Sequence, residues 1–238
     1  MARRKSQPLT RERILAAALR MADEEGIEEL SIRKLGARLG VNGVSLYHHF
    51  GSKTEIVDGL VAHVMTEVDL ASDEDDWERR LRRIHCSLRD ALVAHPNLLP
   101  AAVTRPFNTR AAMRVYDAVL ETLLDAGFGD EDALHGFQTL RSYVVGHALS
   151  ETVGLLADPP TWVNRERMTV QEYGEYGFHN VLRVVPAAAV ADNALSFSVG
   201  LDSIIVGLET RLADARSVGG VDREAARPHR AERLRRVT

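Results

Sequence analysis

The sequence predicts an all-α protein, in which a small N-terminal unit of three helices precedes a larger helical body. Three observations carry that prediction. Apolar residues recur at the i, i+3, i+4, i+7 spacing of one helical face along most of the chain. Glycine, proline and capping residues punctuate those runs at helix-length intervals. No stretch of the head or body alternates apolar and polar residues persistently enough to build a sheet.

Leu15, Ala18, Leu19 and Ala22 mark a first helix over 11–24, which Gly26 ends. Ser31 is placed to cap a second helix that runs to Leu39 with Leu35 inward. Gly40 supplies a turn, and Asn42 caps a short third helix ending near His49. Ser52-Lys53-Thr54-Glu55 is a capping box that opens a fourth helix through Ile56, Leu60, Val64 and Val68. In the body, 77–94 carries Leu81, Ile84, Leu88 and Leu92 on one face, and His95-Pro96-Asn97 breaks it, because proline restricts its predecessor and lacks an amide proton. Another helix spans 109–126 and ends at Gly127. A third body helix covers about 131–156, with Ala133, Phe137, Leu140, Val144 and Ala148 on one side, closed by Pro159-Pro160. Residues 161–185 read as irregular chain, and the last long helix is expected over 188–213, with Leu201, Ile204, Ile205, Leu208 and Leu212 as its stripe. These elements divide the chain into a flexible basic arm at 1–9, a head at 10–56, a body at 57–216 and a polar, disordered tail at 217–238.

A chain of 238 residues with 45% hydrophobic composition can bury a sizeable core. Its net charge of −4 is unevenly spread: residues 1–60 hold ten basic and eight acidic side chains, 61–210 hold 12 and 22, and 211–238 hold eight and four. A mildly basic head on an acidic body lets the head face a polyanion while the body is repelled from it. Cys86 is the single cysteine, which excludes an internal disulfide framework and a multi-thiolate zinc site, and it reads as a small buried hydrophobe. The opening MARRKSQP has no apolar stretch behind it, and nowhere do eighteen apolar residues run together, so a cytoplasmic protein without membrane contact is expected.

The pair LSIRKLGARLG and VNGVSLYHHF has the spacing of a helix-turn-helix, whose second helix is held out by the other two to enter a major groove. On it, Ser45 and His48 are the groove-facing candidates, able to bond base edges or phosphate. Tyr47 either reaches a phosphate through its hydroxyl or lays its ring over the third helix. Val44 either touches a thymine methyl or packs within the head. Arg33, Lys34 and Lys53 sit in opening turns of helices, against the dipole, a placement that suits a nearby phosphate or plain solvation. Arg3, Arg4 and Lys5 are either a backbone-tracking arm or a solvated tail. An enzyme or small-molecule carrier with a helical cavity is the rival reading, with a scaffolding helical dimer third; against the enzyme stands the lack of paired carboxylates beside a nucleophile, of a glycine-rich phosphate loop and of an HExxH motif.

Residues 10–60, TRERILAAALRMADEEGIEELSIRKLGARLGVNGVSLYHHFGSKTEIVDGL, resemble the DNA-binding domain of the tetracycline-repressor family of bacterial regulators. The resemblance implies a recognition helix containing Ser45, Tyr47, His48 and His49, a phosphate-binding Lys53 and a DNA contact at Arg33. It departs at Gly43, which stands where many relatives carry a base-reading side chain and which offers only backbone. Outside the head, RLRRIHCSLRDALVAHPNLLP and FSVGLDSIIVGLETRLA are similar to body helices of the tetracycline-repressor subgroup. That similarity implies a homodimer joined through the helices at 131–156 and 188–213, a palindromic double-stranded operator, repression, and release by a small-molecule effector held among body helices between 60 and 150. Phe107, Met113, Phe137 and His147 are candidates to line that cavity, each more readily read as core packing than as a ligand contact. His147 and Glu151 lie one turn apart but are too few to hold a metal, so no metal or cofactor is expected. Asp69 falls where tetracycline-binding members use a histidine, which argues against that drug as the effector.

Overall fold

A computed structural model describes residues 8–70, 73–104, 109–152, 174–188 and 190–218. The described residues form helices with no strand among them. The expected arm at its first seven residues, Phe107, Pro159-Pro160 and most of the tail lie outside the described residues.

In the head, α1 (Arg11–Glu25) opens on Thr10, whose side chain accepts the amide of Arg13, and ends at Gly26 with φ 90°. Helix α2 (Ile32–Leu39) is capped by Ser31, which accepts from the amide of Lys34, and it terminates in the left-handed conformation of Gly40. The amide of Val44 donates to Asn42 Oδ1 at 3.0 Å, and α3 follows over Val44–Tyr47. Packing of α2 against the turn is close at Gly36, where a Cβ would stand 3.0 Å from the backbone nitrogen of Gly43 and the carbonyl of Val41. Ile14, Leu30, Leu35, Leu46, Phe50 and Leu60 fill the centre of the head.

Helix α4 (Lys53–Met65) packs against α1 at one end and against body helices at the other, so it spans the two parts. Ser52 caps it by accepting from the amide of Glu55. The reciprocal bond of the capping box goes one residue further out, from the amide of Gly51 to Glu55 Oε2 at 2.7 Å. The helix ends before Val68, its last turn tightening into i→i−3 backbone bonds from the amides of Thr66 and Glu67 to the carbonyls of His63 and Val64.

The body comprises α5 (Trp77–Ala94), a 3₁₀ turn (Pro96–Leu98), α6 (Leu99–Thr104), α7 (Arg110–Ala126), α8 (Asp130–Thr152), α9 (His179–Ala188) and α10 (Asn193–Val218). Helix α8 lies against α5, α7 and α10, and Leu81, Ile84, Leu140, Val144, Leu201 and Ile205 form their common core. Two ends of the chain's helical pattern fall elsewhere than the sequence predicts. Helix α9, with Pro186 inside it, occupies part of the stretch read as irregular. The last helix starts at Asn193 rather than near 188, because Asp192 Oδ1 accepts from the amides of Ala194 and Leu195 and sets a fresh N-terminus, and it runs on to Val218. Among the described residues, no helix is long and apolar enough to cross a membrane.

Candidate nucleic-acid interface and body cavity

Leu46 anchors α3 from below, fully buried, while Val44 and Tyr47 stand 62% and 54% exposed on the opposite side. His48 is exposed beside them. At about 100° per residue, Val44, Tyr47 and His48 share one sector and Leu46 faces away from it. Ser45, expected to face a groove, is only half-exposed on the flank of that sector, and His49 is likewise partly covered. The missing side chain of Gly43 leaves no gap in the outward face, since a Cβ there would point at Ile32 Cγ2 of α2, 3.4 Å away.

One lock holds this short helix in place from α1 and α4. The Arg11 guanidinium lies 4.0 Å from the centre of the Phe50 ring, donates to the carbonyl of His49, and pairs with Glu55 at 3.1 Å. The Gly51 amide and Arg11 together hold the Glu55 carboxyl below its ordinary pKa.

The basic candidates divide. Arg33 is exposed and forms no ion pair among the described residues. Lys34 instead folds back: its ammonium bonds Glu29 and stands 3.5 Å from Glu25, and the Glu29 bond raises its pKa. Lys34, read from the sequence as suited to a phosphate or to plain solvation, is held here by these two carboxylates, which lie at the end of α1 and in the turn behind it. Lys53 is exposed, with its ammonium 3.2 Å from the carbonyl of Glu28.

In the body, a cavity of about 20 Å³ lies among Met65, Leu88, Leu92, Leu99, Val115 and Val145, with Ala102, Tyr116 and Arg141 completing its wall. Tyr116 interacts with Arg141, and burial raises its phenol pKa. Of the sequence-predicted lining residues, Met113, Phe137 and His147 are described, and all three are placed otherwise. Met113 is 51% exposed on the outer side of α7 and is corrected to a surface position. Phe137 packs edge-on against Tyr116, with ring centres 4.8 Å apart, and so stands behind the cavity wall. His147 belongs to a separate cluster, in which Arg89 grips both carboxylate oxygens of Glu151 at 2.8 Å and the Phe197 ring lies 5.2 Å from the imidazole. Burial lowers the pKa of His147, and Glu151, 3.7 Å from its Nδ1, opposes that shift. No group of three or more His, Cys, Asp or Glu side chains suited to a metal occurs among the described residues.

Head and body meet at the 3₁₀ turn. Asn97 donates from Nδ2 to the carbonyls of Ala22 and Asp23 at 2.9 and 3.2 Å, and His95 Nδ1 lies 3.1 Å from Asp23 Oδ1. Sequence reasoning takes His95 only as a helix-end group, and nothing local marks Asn97, since both partners lie more than seventy residues away. Beside this contact an open groove of about 380 Å³ separates Lys53 and Val57 of α4 from Pro100 and Thr104 of α6.

Comparison with known proteins agrees with this arrangement. Residues 14–60 match the family described as bacterial regulatory proteins, tetR family, and residues 71–212 match the tetracyclin repressor-like C-terminal domain. An HTH-type transcriptional regulator of Saccharopolyspora erythraea is 33% identical over 146 residues, which are 61% of this chain but only 62% of that protein, less than two thirds of its length. The class A tetracycline repressor protein from transposon 1721 of Escherichia coli is 36% identical over 63% of this chain and 69% of its own length. The crystal structure of the TetR family protein ActR of Streptomyces coelicolor in complex with (S)-DNPA superposes with a TM-score of 0.72 at 29% identity, over 87% of this chain and all of that one.

Proposed function

The chain belongs to the tetR family of bacterial regulatory proteins, and on that premise we propose that it is a homodimeric repressor which binds a palindromic operator and is released from it by a small molecule. The observation that carries this reading is the outward face of α3. Val44, Tyr47 and His48 project from a helix whose other side is pinned by Leu46 and the Arg11 lock, which is the geometry a major groove of about 12 Å width admits. Tyr47, His48 and His49 serve the duplex, with Ser45 at the flank. Arg33 and Lys53 bind phosphate, and Lys34 joins them only by leaving Glu25 and Glu29.

Pairing of two chains is supported by the apolar side chains that α8 and α10 leave uncovered. Leu134 on α8 and Leu195, Val199 and Val206 on α10 are each 45% to 64% exposed. A two-fold pair that covers them presents two copies of α3 to half-sites about 34–36 Å apart. The effector occupies the cavity walled by Leu88, Leu92, Val115, Tyr116 and Val145, enlarging it on entry. The ActR structure, solved with (S)-DNPA bound, supports a small-molecule role for a body of this shape. Movement of α6 into the groove beside Lys53 and Val57 would tilt α4 and change the separation of the two readers, and a ligand that favours one separation shifts the population accordingly.

The test is selection of random double-stranded fragments by the purified protein, followed by sequencing of those retained. Enrichment of a palindrome is expected. A pool that stays unenriched at low salt overturns the reading.

A further inference from the structure

Val44 is a large apolar side chain held in water by the architecture of the head. It opens α3, is 62% exposed, and shares its sector with Tyr47 and His48, while Leu46 on the far side is fully buried. Packing within the head therefore does not account for it. Its neighbour Gly43 has its Cβ direction turned toward Ile32, so no side chain from that position shields Val44 from an approaching surface. An isopropyl group has no atom that bonds a phosphate or a base amide. The apolar group that the major groove presents is the C5 methyl of thymine, because the other base edges there are donors and acceptors.

From this we infer that Val44 reads a thymine methyl, so that each operator half-site carries an A·T pair under the start of α3. The inference rests on the proposed DNA-binding function and names the base class that α3 selects. Val44 then supplies specificity without charge: it neutralises no phosphate, and its contribution is independent of salt.

The experiment removes the methyl group alone. Once an operator has been selected, each thymine in a half-site is replaced in turn by deoxyuridine, and affinity is measured for the native protein and for Val44→Ala. One position per half-site is expected to lose about fourfold in affinity with the native protein, the effect of one buried methyl. Val44→Ala should bind the thymine operator more weakly and show no difference between thymine and uracil at that position, while its salt dependence stays native. Neutral substitution at every thymine overturns the inference and leaves the proposed function standing, as does a Val44→Ala protein that still distinguishes the two bases. If no operator is selected at all, the proposed function falls and this inference falls with it.

Discussion

The hydroxyl of Tyr143 lies directly over Gly200, donating to the carbonyl of Phe197 at 2.9 Å, so that at this end of their interface α8 lays a ring on the bare backbone of α10. A Cβ at position 200 would stand 2.1 Å from that hydroxyl oxygen and 2.6 Å from the ring carbon that bears it. Alanine in place of a mid-helix glycine ordinarily stabilises by about 1 kcal/mol. Here it must displace a rigid ring that is also stacked on Phe197 at 5.4 Å. Gly200→Ala is therefore expected to destabilise by about 1–2 kcal/mol net, the overpacking cost exceeding the gain in helix propensity. In a Tyr143→Ala background the same change should stabilise. Denaturant titration of the four proteins measures the coupling, and additivity would show that the two residues do not oppose each other.

Gly36 poses a different obstacle, because the atoms that a Cβ would meet are backbone. The nitrogen of Gly43 and the carbonyl of Val41 lie 3.0 Å from the added carbon, in the turn that sets the angle between α2 and α3. Neither atom can rotate aside as a side chain would. Gly36→Ala should cost about 1–3 kcal/mol in the head and tilt α3 out of register, abolishing operator binding while the helical signal of the body persists. Native-like operator affinity in a mobility-shift assay would show that the turn yields without moving α3.

These two glycines illustrate which parts of the molecule are readable in its sequence. Ser31, Gly40, Ser52 and Gly127 act on atoms within five residues of themselves, so their caps and stops are legible from local chemistry. The inward anchor of the short third helix, Leu46, is legible in the same local way, but its outward face is not: the sequence leaves Val44 open between packing and exposure and points Ser45 outward, whereas Val44 is exposed and Ser45 is partly covered. The free or paired state of its cations is not: Lys34 is engaged by Glu25 and Glu29 through the path of the turn, which periodicity does not encode. The cavity is hidden more thoroughly. Leu88, Leu92 and Val115 belong to helical stripes in which a residue against a void and a residue against a neighbour look alike, and only Tyr116 and Arg141, polar-tipped groups at inward phases, distinguish that place. Met113, chosen for its chemistry, falls on the wrong side of its helix.

Asn97 offers a test of how firmly the head is fastened. Its amide donates to two carbonyls at the last turn of α1, and both bonds cross from body to head. Asn97→Ala should cost about 1–2 kcal/mol and raise hydrogen exchange in the last turn of α1 relative to α8. In the proposed repressor it should also weaken the effect of an effector on operator affinity, since α1 is then freer to move independently of the 3₁₀ turn. Unchanged exchange in that turn would show that the contact carries no coupling.

His85 provides the pH dependence. It is 2% exposed in the middle of α5, its Nδ1 donates to the carbonyl of Leu81 at 2.7 Å, and burial pushes its pKa down to about 4. The unfolded chain holds the same group near 6.5, so between these values the unfolded state binds a proton that the folded state refuses. Stability contributed by the neutral imidazole is therefore present above about pH 6.5 and is lost progressively as pH falls toward 4, by ~3 kcal/mol in all. His85→Leu removes the titrating group and should flatten that part of the curve, at the cost of one hydrogen bond at neutral pH. Urea midpoints measured from pH 7 to pH 5 for both proteins decide the matter. An equally steep decline in the variant would assign the acid sensitivity of that range to another imidazole such as His147, whose pKa burial also lowers, since Glu29 and Glu55, held below the ordinary carboxylate value, act only at lower pH.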